Sequence, residues 1–197
     1  MNWKEKRGLK SGKVKVKFNA PVTLSFVLIC FIATLLGVIS AGKVTMSIFM
    51  TYRSSLLHPM TYIRLFTHVF GHDGWSHFIG NASYLLLLGP MLEEKHGSKE
   101  IIEVIGITAV VTGIVNYVFF WNTGLCGASG VVFAFIMLGS FTGFKEGELP
   151  LTFILVAIIF IGQQVYEGLV IQDNISNIAH IVGGIVVAVI GYKLNRK

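Results

Sequence analysis

Four polar side chains stand inside otherwise apolar stretches of this chain: His77, Asn81, Ser129 and His180. A hydroxyl, two imidazoles and a carboxamide are the groups that acyl transfer needs. Serine is a weak nucleophile until a base takes its proton, and histidine is the usual base. The oxyanion formed on attack requires positioned donors. His77 and Asn81 are four residues apart, hence on one face of a helix, and supply two donors beside the Ser129 backbone N–H. Ser129 itself lies in Leu125-Cys126-Gly127-Ala128-Ser129-Gly130, a small-residue turn in the longest uncharged run of the chain. Gly127 and Gly130 remove side chains that would block close approach to the hydroxyl. Small residues also serve helix packing in membranes, so the turn acquires meaning only from its position.

The elements that must position these groups are membrane spans. The 197 residues are 53% hydrophobic and only 13% charged, with a mean hydropathy of +0.71; a soluble domain carries about 25% charged residues. The net charge of +6 does not indicate nucleic acid, because the basic residues crowd the two ends and read as membrane-surface anchors. Residues 1–20 form a short basic arm with Lys4, Lys6, Arg7, Lys10, Lys13, Lys15 and Lys17, residues 21–193 the membrane domain, and 194–197 a basic tail. Charge-free windows run over 22–41, 74–92, 104–144, 149–166 and 174–192. A span needs about 20 residues. The 41-residue window is too long for one helix and breaks near Trp121-Asn122-Thr123-Gly124. Six transmembrane helices result, with a loop at 93–103 and a mixed, aromatic first loop at 42–75 lying along the interface.

Lys and Arg are concentrated on the side that holds the arm, the 93–103 loop, the 145–148 loop and the tail, so both termini are expected in the cytoplasm. Depth follows from a rise of about 1.5 Å per residue. Ser129 then stands roughly 24 Å above the inner edge of its span, His180 roughly 20 Å, and His77 and Asn81 roughly 24 and 18 Å. In a core of about 30 Å all four share one layer near the outer surface. Packing does not require such a layer, whereas a reaction site does. The outer acids Asp73, Glu167 and Asp173 fall at or beyond the interface, which leaves a Ser129–His180 dyad rather than a triad.

The residues resemble the rhomboid intramembrane serine proteases. His72-Asp73-Gly74-Trp75-Ser76-His77-Phe78-Ile79-Gly80-Asn81 fits the family's His-x4-His-x3-Asn pattern, Gly127-Ala128-Ser129-Gly130 its Gly-x-Ser-Gly, and Ala179-His180-Ile181-Val182-Gly183 its Ala-His-x-x-Gly. The resemblance implies an all-α, polytopic six-span bundle that cleaves single-span membrane protein substrates, with Ser129 as nucleophile, His180 as base, and His77 and Asn81 stabilising the oxyanion. It further implies a structural or water-binding His72, an Arg64 that anchors the first loop, and structural Glu93 and Gly97. Ile63 stands where the family has tryptophan, Phe133 where many members stack a tyrosine on the base histidine, and Val187 where a glycine is common.

The chain is thus expected in the plasma membrane, with its active site toward the outer side, lipid around it, and neither cofactor nor nucleic acid as a partner. His68, His72 and His77 suit no tight metal motif and have no cysteine or acidic companion, and Cys30 and Cys126 read as small buried thiols. His72, Ser76 and Asn122 are candidate walls of a water-filled entrance, and the fifth span with the 167–173 loop a candidate gate. The alternative is a non-catalytic membrane adaptor or small-solute carrier, although the two halves show no repeat.

Overall fold

Pro21 opens the first helix, where its preset φ is useful and its missing N–H would have had no helical partner. The computed structural model describes residues 16–141 and 151–166. Within them run α1 (Pro21–Ile39), α2 (Lys43–Ile48), α3 (Pro59–Thr67), α4 (Trp75–His96), α5 (Ser98–Phe119), α6 (Ser129–Phe141) and α7 (Leu151–Tyr166), with a 3-10 turn at His68–Phe70. The described residues are helical apart from loops and one isolated antiparallel bridge, Thr51 with Leu125.

The helices differ in how much of their circumference is apolar and buried, and that sets their place. On α1 the buried residues Thr23, Phe26, Cys30, Ala33, Thr34 and Gly37 recur at three- and four-residue spacing and face α4. Its other side presents Leu28, Ile32, Leu36 and Ile39, all exposed. A helix apolar inside and out is matched to lipid rather than water. By contrast α6 carries no charge, and Val131 through Ile136 are all buried. It packs on α4, α5 and α7 and forms the centre of the bundle. Close approach is set by small residues: Gly89 lies against Thr23, Gly113 against the Leu65 carbonyl, and Gly130 against the Thr108 and Thr112 methyls.

By length and composition, α1 (mean hydropathy 2.7) and α5 (1.9) qualify as membrane-crossing helices, and shorter apolar stretches occupy Ser129–Gly139 and Ile154–Gln163. The sixth expected span, 174–192, lies outside the described residues, as do the arm up to residue 15 and the tail. The long uncharged window does break where expected, with α5 ending at Phe119 and α6 starting at Ser129. The loop expected at 93–103 is corrected. Helix α4 continues to His96, α5 begins at Ser98, and the single residue Gly97, at φ 95°, turns the chain between them. Charges do not end a helix on their own; here a left-handed residue does, and Lys99 and Glu103 sit one turn apart on α5.

Beside this turn Glu93 replaces the helical partners that α1 lacks. Its carboxylate accepts the Val22 N–H (3.0 Å), the Thr23 N–H (3.0 Å), the Thr23 hydroxyl (2.9 Å) and the Ser98 hydroxyl (2.7 Å). A negative charge at a helix N-terminus also complements the helix dipole. One side chain of α4 thereby fixes the starts of both α1 and α5.

Candidate active site

Ser129 is the first residue of α6 and is fully buried. The chain reaches it through Gly127, whose φ of 125° is ordinary only for glycine. The helix then closes with Val132 N–H donating to the Ala128 carbonyl at 2.9 Å. A hydroxyl at this position sits at the positive end of the helix dipole, where developing negative charge is favoured.

Across the turn stand His77 and Asn81 of α4. A Cβ added to Gly127 would lie 2.8 Å from both Cε1 and Nε2 of His77 and 3.7 Å from Nδ2 of Asn81. The glycine is therefore required twice, for its φ and for the space that the imidazole takes. Asn81 is buried, and its Nδ2 has no hydrogen-bond partner among the described residues. Buried amide donors are normally paired, which singles this one out.

The first loop frames the turn from the other side. Thr51 and Leu125 exchange backbone bonds of 3.0 and 2.8 Å, and the Gly127 N–H donates to the His68 carbonyl at 2.9 Å. Asn116 of α5 donates to the carbonyls of Thr51 (3.3 Å) and Thr123 (3.4 Å), joining both loops. Arg64 donates to the Tyr52 hydroxyl (2.8 Å) and Ser54 (3.0 Å) and lies over the Tyr52 ring. Arg53 covers Tyr117 and Trp121 at the C-terminal end of α5.

His72 is also buried, 2% exposed, beside the turn. The Ala128 N–H donates to its Nε2 at 3.4 Å. Burial, with a smaller contribution from His77 nearby, pushes its pKa down to about 3. Burial likewise lowers His68 to about 4. Nε2 of His68 meets the Thr112 hydroxyl at 3.0 Å, and that hydroxyl donates to the Thr108 carbonyl at 2.7 Å, so His68 is the donor in the pair.

Of the residues picked out from sequence, Gly127, Ser129, Gly130, His72, His77 and Asn81 come together, and Arg64 lies in the first loop that frames them. Phe133, one turn below Ser129, stacks on Phe160 of α7 at 5.8 Å and 16°; its relation to His180 lies outside the described residues, as does His180 itself. Ser76, at the start of α4, and Asn122, just after α5, are exposed. No group of three His, Cys, Asp or Glu among the described residues is placed to hold a metal. Sequence reasoning missed Thr51, Asn116 and the two threonines Thr108 and Thr112. The last three recur every four residues on the charge-free part of α5, a buried polar stripe that periodicity could have revealed.

These features define a helical membrane protein in which a first-loop platform and α4 enclose a serine at the head of a central helix. The chain belongs to the rhomboid family: the family model of the Rhomboid domain matches residues 59–197. Rhomboid-related protein 1 of Caenorhabditis elegans is similar, 28% identical over 138 residues that cover 66% of this chain and 39% of that protein. The chain therefore spans about two fifths of the length of that relative.

Proposed function

We propose that this protein is an intramembrane serine protease that cleaves single-span membrane proteins within or beside their transmembrane segment. The reading rests chiefly on one observation: Ser129 heads the buried helix α6, and Gly127 of the turn leading into it lies against His77 and an Asn81 amide donor with no partner among the described residues. Family membership and the order of the three sequence motifs support it further.

In the proposed reaction His180 takes the Ser129 proton as Oγ bonds to the scissile carbonyl carbon. The resulting oxyanion accepts hydrogen bonds from the Ser129 N–H, Asn81 and His77. Collapse breaks the C–N bond, the amine leaves with the proton from His180, and water then hydrolyses the serine ester by the same sequence in reverse roles. Ser129 and His180 act as a dyad. A regular substrate helix hides its own carbonyls in hydrogen bonds, so substrates with helix-weakening residues near the cut are favoured. The proposed topology has six spans in the plasma membrane, both termini cytoplasmic and the site opening toward the outer side.

The test uses purified full-length protein in detergent with a panel of single-span substrates and mass analysis of the fragments. Wild type is expected to give one defined cut, and Ser129→Ala and His180→Ala none. Cleavage that survives Ser129→Ala would end the reading.

A further inference from the structure

His72 touches both halves of the candidate site, and its ring nitrogens meet partners of fixed character. The Phe70 carbonyl can only accept, so Nδ1, 3.2 Å away, carries the proton and donates. The Ala128 N–H can only donate, so Nε2, 3.4 Å away, is bare and accepts. The opposite tautomer satisfies neither contact, and the imidazolium loses the one to Ala128. At the same time the ring meets the His77 ring edge-on, 5.1 Å between centroids at 76°, and Phe78 at 5.5 Å. One side chain thus links the residue before Ser129 to the imidazole that fills the space beside Gly127.

The two N–H groups leading into α6 are both engaged by the first loop, Gly127 by the His68 carbonyl and Ala128 by His72. That fixes the peptide plane between Gly127 and Ala128, the plane that sets how the chain enters Ser129. It also removes the Ala128 N–H from the donors available to an oxyanion.

We propose that His72 is a positioning residue. In its Nδ1–H tautomer it orients the Ala128 amide, and through it the Ser129 backbone, while its ring holds the His77 imidazole against Gly127. The inference rests on Ser129 being the nucleophile.

Two variants separate the parts of this role in full-length protein with a cleavable single-span substrate. His72→Phe keeps a ring against His77 and Phe78 but has no acceptor. His72→Gln places an amide oxygen near the Nε2 position. His72→Phe is expected to lower kcat about tenfold or more with KM within about twofold of wild type, and His72→Gln to recover kcat to within about threefold. Labelling of Ser129 by a fluorophosphonate probe should slow in parallel with kcat. Nitrogen-15 spectra of the wild-type side chain should show Nδ1 protonated and Nε2 bare, a readout that stands even where a variant fails to fold. A protonated Nε2, or wild-type kcat in His72→Phe, overturns the proposal. If wild type neither cleaves nor labels, the protease reading fails; if wild type cleaves, Ser129→Ala does not and His72→Phe is unaffected, only the role of His72 fails.

Discussion

At the scale of single residues, the site depends on one absent side chain. Gly127 adopts a φ that other residues rarely reach, and any Cβ there would collide with the His77 ring. Gly127→Ala should therefore displace the ring or the turn. We expect kcat to fall by about a hundredfold, the scale of losing one oxyanion donor, with KM little changed, measured on a single-span substrate. The buried histidines make a second prediction, with a sign that follows from linkage. His68 and His72 are held neutral in the fold down to about 4 and about 3, whereas in the unfolded chain they protonate below about 6.5. The unfolded state thus binds more protons in that interval, so stability is complete above about pH 6.5 and declines as pH falls toward 4. Thermal unfolding in detergent across pH 8 to 4 checks this, and a Tm that holds or rises on acidification would contradict it. The motif residues His77, Asn81 and Ser129 could be found from sequence because each is a polar exception in an apolar run. The partner of His72 could not be found, because a backbone N–H carries no sequence signature.

At the scale of elements, helix starts are fixed across the bundle rather than by their own caps. Neither α1 nor α5 has a local side-chain cap, and Glu93 satisfies donors on both. Removing its carboxylate would leave two backbone N–H groups and two hydroxyls unpaired near the inner surface. Glu93→Ala is expected to cost about 3 kcal/mol, the scale for hydrogen bonds to a buried charge, and to lower Tm in detergent. Glu93→Gln, which keeps shape and part of the acceptor capacity, should fall between it and wild type. The windows of apolar residues predicted α1, α4, α5, α6 and α7 with their ends displaced by a few residues. The 93–103 loop was misjudged because a charged run was taken as a break, although α4 and α5 absorb those charges, Glu93 buried against α1 and the rest on exposed faces, and turn only at Gly97. The first loop's helix α3 packs on α5, which starts more than thirty positions later, and the Thr51–Leu125 bridge pairs residues 74 positions apart, so neither had a local signal.

At the scale of the whole molecule, burial and charge point in one direction. The apolar exposed face of α1 and the uncharged central α6 suit a bilayer, and in the proposed topology the first loop lies outside. This gives a topology prediction that needs no substrate. Cys30 and Cys126 are buried, so a cysteine introduced at Ser55 or Lys99 reports on its own location, and the Lys99 side chain is 84% exposed. Ser55→Cys should react with a membrane-impermeant maleimide on intact cells, and Lys99→Cys only after permeabilisation; the reverse pattern would invert the proposed orientation. The ties from Thr51, His68 and His72 to Leu125, Gly127 and Ala128 have a further consequence for biogenesis. A nascent chain that has delivered only α1 through α5 to the membrane holds the platform but not the serine turn, and nothing in it is shaped to react. On the proposed reading, competence requires α6 to dock onto a loop made more than fifty residues earlier and His180 to follow it, so order of synthesis itself would keep the unfinished protein inert beside other inserting chains.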